Sequence, residues 1–212
     1  MSNHGETVEH VHVPGQVHRD DTGSKMGMWL FLFTEVLLFG GMFILYAGYR
    51  YEYPEAFVAA ALRLDPILGA VNTVILLTSS LTVVLGIVAL EKKNKKLSMF
   101  FLWATQVCGL VFLINKYFEW THKIHLGLYP GGEMMEELSK GEIVFYGLYY
   151  VMTGLHGLHV IIGMTFIGVI MYFIQKGKLT HDNFQRLENS GLYWHIVDII
   201  WIFLFPLFYL IH

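Results

Sequence analysis

Glu35 is a carboxylate set inside an apolar run, with residues 29–33 before it and 36–39 after it. An ionisable group in that setting is costly and marks a functional position by default. It offers proton handling or a polar anchor. The plainer possibility is a neutral carboxyl that donates one hydrogen bond and accepts another across to a neighbouring helix. His156 and His159 stand at i, i+3, as do His195 and Asp198, so each pair shares one helix face. By depth along their segments, Glu35, His159 and Asp198 are expected to converge in one layer. Carboxylates and imidazoles gathered there suit a buried hydrogen-bond network or a proton relay.

Other chemistries find less support. Two histidines and two carboxylates are the right ligand types for a metal, but their spacing matches no metal signature. A bis-histidine haem needs histidines at one depth on facing helices, and His195 falls near a membrane face. Neither metal nor haem is expected in this chain. Ser79-Ser80 lacks the G-x-S-x-G elbow of a serine nucleophile. Within an apolar helix these hydroxyls are expected to bond to the backbone or across to another helix. Cys108 is the only cysteine, which excludes an internal disulfide or a thiolate cluster, and it reads as apolar packing. His10 and His12 form an incomplete ligand set in a polar, solvated tail.

The elements that position these groups are membrane spans. Of 212 residues, 55% are hydrophobic and only 15% charged, against about 25% charged in an ordinary soluble domain. Five runs reach the roughly 20 apolar residues that a crossing helix needs: 27–49, 68–90, 97–118, 143–174 and 192–211. They do not alternate as barrel strands would. The fourth is longer than a perpendicular crossing requires, so tilt or protrusion is expected. The chain divides into a polar tail, 1–26, without a cleavable signal, and one membrane domain, 27–212. A formal net charge of −3 with no basic tract argues against nucleic acid.

Orientation follows from the loop cations. One side carries nine: Arg19, Lys25, Lys92, Lys93, Lys95, Lys96, Lys176, Lys178 and Arg186. The other carries five: Arg50, Arg63, Lys116, Lys123 and Lys140. The chain is therefore expected to run N-in/C-out, with its longest loop, Glu119–Glu142, outside. Glu35, about 12 Å of helix rise into the first span, then lies in the cytoplasmic half. Tyr146, Tyr149, Tyr150, Trp120, Tyr129 and Tyr209 are expected in the outer aromatic belt, Trp29 and Trp194 in the inner one. Lys116 beside Glu119 reads as a snorkelling pair. Gly40, Gly41, Gly154, Gly157 and Gly163 are expected at close helix approaches.

Four stretches carry a resemblance. They are the M-W-L-F-L-F-T-E-V run, residues 28–36, the N-T-V-I-L-L-T-S-S run, 72–80, the T-G-L-H-G-L-H-V-I-I-G run, 153–163, and the Y-W-H-I-V-D-I-I-W run, 193–201. Together they make the chain similar to subunit III of the haem–copper terminal oxidases, the cytochrome c oxidase type. The resemblance implies an all-α polytopic bundle of five transmembrane helices, a short bacterial form lacking two helices of the longer one, split by a cleft that holds phospholipid. It implies no catalytic residue, metal or cofactor in this chain, with haem and copper in partner subunits. It implies packing on catalytic subunit I, with subunit II in the complex, in the bacterial cytoplasmic membrane. The role implied is support of proton uptake and protection of the active site during turnover. Glu35, His159 and Asp198 match the family's intramembrane polar residues, to which the reading above adds His156 and His195. Glu188 matches a glutamate preceding the Y-W-H run. Arg50, Arg63, Arg186 and His195 are candidate headgroup partners for structural phospholipid.

A quinol oxidase subunit III and a nitric-oxide-reductase accessory protein belong to the same superfamily and remain alternatives. Outside it stand a self-sufficient small transporter or proton channel built on Glu35, His159 and Asp198, and a membrane enzyme using a metal.

Overall fold

The computed structural model describes residues 21–129, 131–177 and 185–211. They form α1 (Asp21–Glu52), α2 (Pro54–Ala61), α3 (Pro66–Glu91), α4 (Lys95–His125), α5 (Lys140–Gln175) and α6 (Gln185–Tyr209), with a 3₁₀ turn at Glu133–Glu137. All but α2 are long and apolar enough to cross a membrane, so the five expected spans are present among the described residues. The tail with His10 and His12, the loop cations Arg19 and Lys178, and Pro130 lie outside the described residues.

The helix ends follow from local chemistry. Tyr53 precedes a proline and leaves the helical region at φ −126°, which ends α1, and Pro54 opens α2 within its first turn. α2 is too short for the span criterion and was not anticipated. Its buried Phe57 meets Tyr46 and Phe145 edge-on, which docks it against α1 and α5. At α3 the Asp65 carboxylate accepts from the backbone N–H of Ile67 and Leu68, ahead of Pro66. The α3–α4 hairpin closes on Lys93, a residue with φ of 62°, while the Asn94 N–H donates to the Ala89 carbonyl. That is the Schellman pattern, usually held by glycine. Ser139 and Glu142 cap each other at the start of α5.

α4 and α5 overrun their expected limits, because charges that read as span ends lie within the helices. Lys116, Glu119 and Lys123 repeat at i, i+3, i+7, face inward and are buried. The outer loop is shorter than Glu119–Glu142 by that much.

α3 packs most extensively on α4 and next on α6, α5 packs on α6, and α1 touches α5, α6 and α2. α1 and α3 therefore pack chiefly on the later helices. Two grooves of about 650 and 700 Å³ lie between α4 and α5, on either side of Leu113 and Ile161.

One side chain joins four helices. The Trp194 indole of α6 lies between Gly109 of α4 and Gly163 of α5, and its Nε1–H donates to Ser79 Oγ of α3 at 2.9 Å. A Cβ at Gly163 would sit 2.8 Å from that ring, so the glycine is required there. Gly154 serves Trp120 in the same way, whereas Gly40 and Gly41 have nothing within 4 Å and Gly157 only Leu113 at that limit. Trp194 is thus core and not inner belt. Tyr146, Tyr149 and Tyr209 are likewise buried, while Trp29 and Tyr129 are exposed as a belt requires.

Candidate functional site

Glu35 is on α1 and His159 on α5. The two side chains meet at the interface of these helices, His159 Nε2 lying 2.7 Å from Glu35 Oε2. The other ring nitrogen, Nδ1, lies 2.7 Å from the Leu155 carbonyl oxygen. A carbonyl only accepts, so Nδ1 carries a hydrogen. Nε2 in a neutral ring is then bare, and the short contact to Glu35 needs one further proton between the two atoms. The pair is either carboxyl donating to imidazole or carboxylate accepting from imidazolium, and in both cases its net charge is zero. Phe39 presents an edge to the His159 ring at 5.4 Å and Tyr193 stacks on it at 6.5 Å. The Glu35 side chain keeps 15% of its surface exposed, on the least buried of the five spans.

His156 does not join this pair. Residues at i, i+3 are offset by about 60° around a helix, which is enough to divide them between neighbours. His156 turns inward, fully buried, 5.1 Å from the Trp201 ring and 5.5 Å from that of Phe112. Neither of its nitrogens has a hydrogen-bond partner among the described residues.

Asp198 also goes elsewhere, which corrects the expected convergence. It is buried between α3 and α4, where it faces Ser80 and Cys108. The Ser80 hydroxyl lies 2.6 Å from His195 Nδ1. His195 and Ser80 form a second polar group beside Asp198, neither of whose carboxylate oxygens has a hydrogen-bond partner among the described residues. No hydrogen bond or ion pair among the described residues links it to Glu35–His159. Ser79 and Ser80 bond as expected, Ser79 back to the Leu76 carbonyl at 2.7 Å and Ser80 across to α6.

A third group was missed. Lys116 Nζ donates to Glu119 Oε2, Tyr149 Oη and Tyr209 Oη, each at 3.0 Å. Both phenols donate to the other Glu119 oxygen, at 2.7 and 2.6 Å. All three ammonium hydrogens are used, and the charge also lies 5.5 Å from the Trp201 ring centroid. This is a closed ionic cluster joining α4, α5 and α6, and not a pair snorkelling to the surface. The signal for it was the i, i+3, i+7 spacing of Lys116, Glu119 and Lys123, which puts charge on one stripe. Lys123 Nζ in turn donates to the Arg63 carbonyl at 2.6 Å.

Of the candidate headgroup partners, Arg50 and Arg186 are exposed. Arg63 is half-exposed and lies 3.1 Å from Glu142. His195 is engaged by Ser80. Glu188 lies 3.9 Å from Lys25. Among the described residues no three His, Cys, Asp or Glu side chains gather as metal ligands do.

A bundle of five apolar spans whose described interior polar residues gather in separate buried groups defines a multi-pass membrane protein. The chain belongs to the cytochrome c oxidase subunit III family, whose model matches residues 8–212. It is 34% identical over 186 residues to cytochrome c oxidase subunit 3 of Alkalihalophilus pseudofirmus, covering 87% of this chain and 85% of that one. It is 28% identical to a probable quinol oxidase subunit 3 of Staphylococcus saprophyticus, over 100% of this chain and 97% of that one. It is 31% identical to a heme-copper oxidase subunit I+III of Aeropyrum pernix, covering 88% of this chain and 22% of that longer one. Membership makes it a subunit III of the haem–copper oxidases.

Proposed function

We propose that the chain is the accessory subunit III of a respiratory oxidase of the cytochrome c type in the bacterial cytoplasmic membrane. It packs on catalytic subunit I, with subunit II in the same complex, holds structural phospholipid and supports proton uptake while carrying no redox centre itself. The Aeropyrum pernix relative, which joins subunits I and III in one chain, supports the packing on subunit I. Of the expected headgroup cations, Arg50 and Arg186 are exposed, whereas Arg63 is paired with Glu142.

The observation that carries the proton role is the Glu35–His159 contact. One proton lies between Oε2 and Nε2, and the Leu155 carbonyl holds the ring in the tautomer that leaves Nε2 free to take it. Transfer between the two atoms needs no movement of heavy atoms. The carboxyl keeps 15% of its side-chain surface uncovered, on the span least buried by the other helices. His195 and Ser80, beside Asp198, form a separate polar group that stabilises the α3–α6 seam, and His156 fills the aromatic core. A second reading, a quinol oxidase subunit III, is favoured by the full-length match to the Staphylococcus saprophyticus protein.

Purifying the chain from its native membrane tests both. Co-purification with haem-bearing large subunits that oxidise reduced cytochrome c is the expected result. The same complex oxidising only quinol selects the second reading. A self-sufficient homo-oligomer free of haem would overturn both in favour of a transporter or channel.

A further inference from the structure

We infer that Trp120, Tyr150, Tyr149 and Tyr209 form a redox relay, in which a one-electron oxidising equivalent that strikes the outward edge of α4 is drawn inward and held as a neutral tyrosyl radical beside Glu119. This function is separate from proton uptake, and it stands whichever electron donor the complex uses.

Four oxidisable rings adjoin in series. Trp120 is half-buried and lines the groove of about 700 Å³ between α4 and α5. Its ring centroid lies 5.3 Å from that of Tyr150, Tyr150 lies 5.3 Å from Tyr149, and Tyr149 lies 6.4 Å from Tyr209. Each step is within the roughly 4.5–7 Å of aromatic contact. Successive π systems therefore touch, and an electron passes from one to the next without a saturated spacer. The series begins at the groove and ends in the buried Lys116–Glu119 cluster.

The direction is set by where each proton can go. An indole or phenol that loses an electron becomes a strong acid, and the oxidised ring is stabilised once its proton has left. Trp120 Nε1–H is buried without a hydrogen-bond partner among the described residues. Oxidised Trp120 is therefore confined to a cation in apolar surroundings, which is costly. Tyr150 Oη donates to the Leu128 carbonyl at 2.9 Å, an acceptor too weak as a base to take the proton. Tyr149 and Tyr209 both donate to Glu119 Oε1, at 2.7 and 2.6 Å, and a carboxylate can take it. Lys116 donates to both phenol oxygens at 3.0 Å and so holds a phenoxyl oxygen in place. The same ammonium lies 5.5 Å from the Trp201 centroid and opposes a positive charge on that indole, so the oxidising equivalent stops at the tyrosines. The balance is simple. An oxygen-derived radical such as hydroxyl gains one electron from Trp120 and becomes an anion. Trp120 regains the electron from Tyr149 by way of Tyr150. The Tyr149 O–H bond breaks and a new O–H bond forms on Glu119 Oε1, leaving a neutral phenoxyl and a neutral carboxyl.

Tyr117 is exposed and stands one turn from Trp120 on α4. The complex is purified from its native membrane with Tyr117→Cys carrying a ruthenium polypyridyl photo-oxidant, illuminated with persulfate as electron acceptor, and frozen. Electron paramagnetic resonance is read as light minus dark, less the same difference from a complex that keeps Tyr117. A tyrosyl signal is expected, narrowed when the cells are grown on ring-deuterated tyrosine. Tyr149→Phe combined with Tyr209→Phe is expected to abolish it. Lys116→Met combined with Glu119→Gln removes the base together with its paired charge, and is also expected to abolish it. If either double variant does not assemble, Trp120→Phe leaves every hydrogen bond of the cluster in place and is expected to abolish the signal by removing the first ring. An indole signal in place of the tyrosyl one, or a tyrosyl signal that survives any of these substitutions, would overturn the proposal.

Discussion

His159 Nε2 and Glu35 Oε2 lie 2.7 Å apart, on helices separated by 124 positions of sequence. Because the other ring nitrogen faces a carbonyl, this contact contains a proton in both net-neutral arrangements of the pair, carboxyl with imidazole and carboxylate with imidazolium. Glutamine at position 35 can still donate to Nε2; alanine cannot. Glu35→Gln is expected to assemble normally and to lower oxygen consumption modestly, most at high pH, where protons are scarce. Glu35→Ala is expected to cost about 1–3 kcal/mol by stranding the ring nitrogen. Co-purification yield and turnover against pH for the two variants check this. A Glu35→Gln complex that assembles fully but loses nearly all activity at neutral pH would place the chemistry in this chain.

Glu35–His159 and the Ser80–His195 group beside Asp198 share no partner. Effects of substitutions without shared partners add within about 0.5 kcal/mol. Glu35→Ala with Asp198→Ala is therefore expected to lower thermal stability by the sum of the single changes. A coupling well beyond that limit in a double-mutant cycle would join the two groups into one network.

Lys116 and Glu119 are buried together. Removing one charge strands the other, at a cost of about 3–5 kcal/mol. Lys116→Met is expected to be more damaging than Lys116→Met combined with Glu119→Leu, as measured by retention of the chain in the detergent-solubilised complex on heating. Equal retention of the single and double variants would return this pair to the membrane surface.

Gly163 and Gly157 are six positions apart on α5, yet only Gly163 has Trp194 against it. Gly163→Ala is expected to cost about 1–3 kcal/mol through overpacking. Gly157→Ala is expected to be neutral or slightly stabilising, since alanine is the better helix former. Thermal unfolding of the two variants distinguishes them, and equal losses would mean that the helices approach through the whole glycine stripe.

The nine-to-five division of Lys and Arg predicts N-in/C-out. A reporter fused after His212 that is active only outside the cytoplasm is expected to be active, and one active only in the cytoplasm to be silent. The reverse pattern would invert the orientation.

Five spans, their approximate limits and an ionisable Glu35 within the first were legible in the sequence. Lipid exposure is a local condition: a run of about 20 apolar residues satisfies it with no reference to the rest of the chain. The span ends were less legible, because inward charges on α4 can be told from terminal ones only when their partners are known. α2 is too short for the same criterion and is held by Phe57 against two other helices.

Which polar groups meet was decided by tertiary structure alone. His156 and His159 are indistinguishable in spacing, yet one faces Glu35 and the other Trp201 and Phe112. Asp198 matches the depth of Glu35 but faces α3 and α4. Depth and face are set along one helix, whereas pairing depends on the order of helices around the bundle and on how far each is rotated. Those are set by contacts such as Trp194 between Gly109 and Gly163, with its N–H on Ser79. Such contacts join residues from four helices and leave no periodic trace in any one of them.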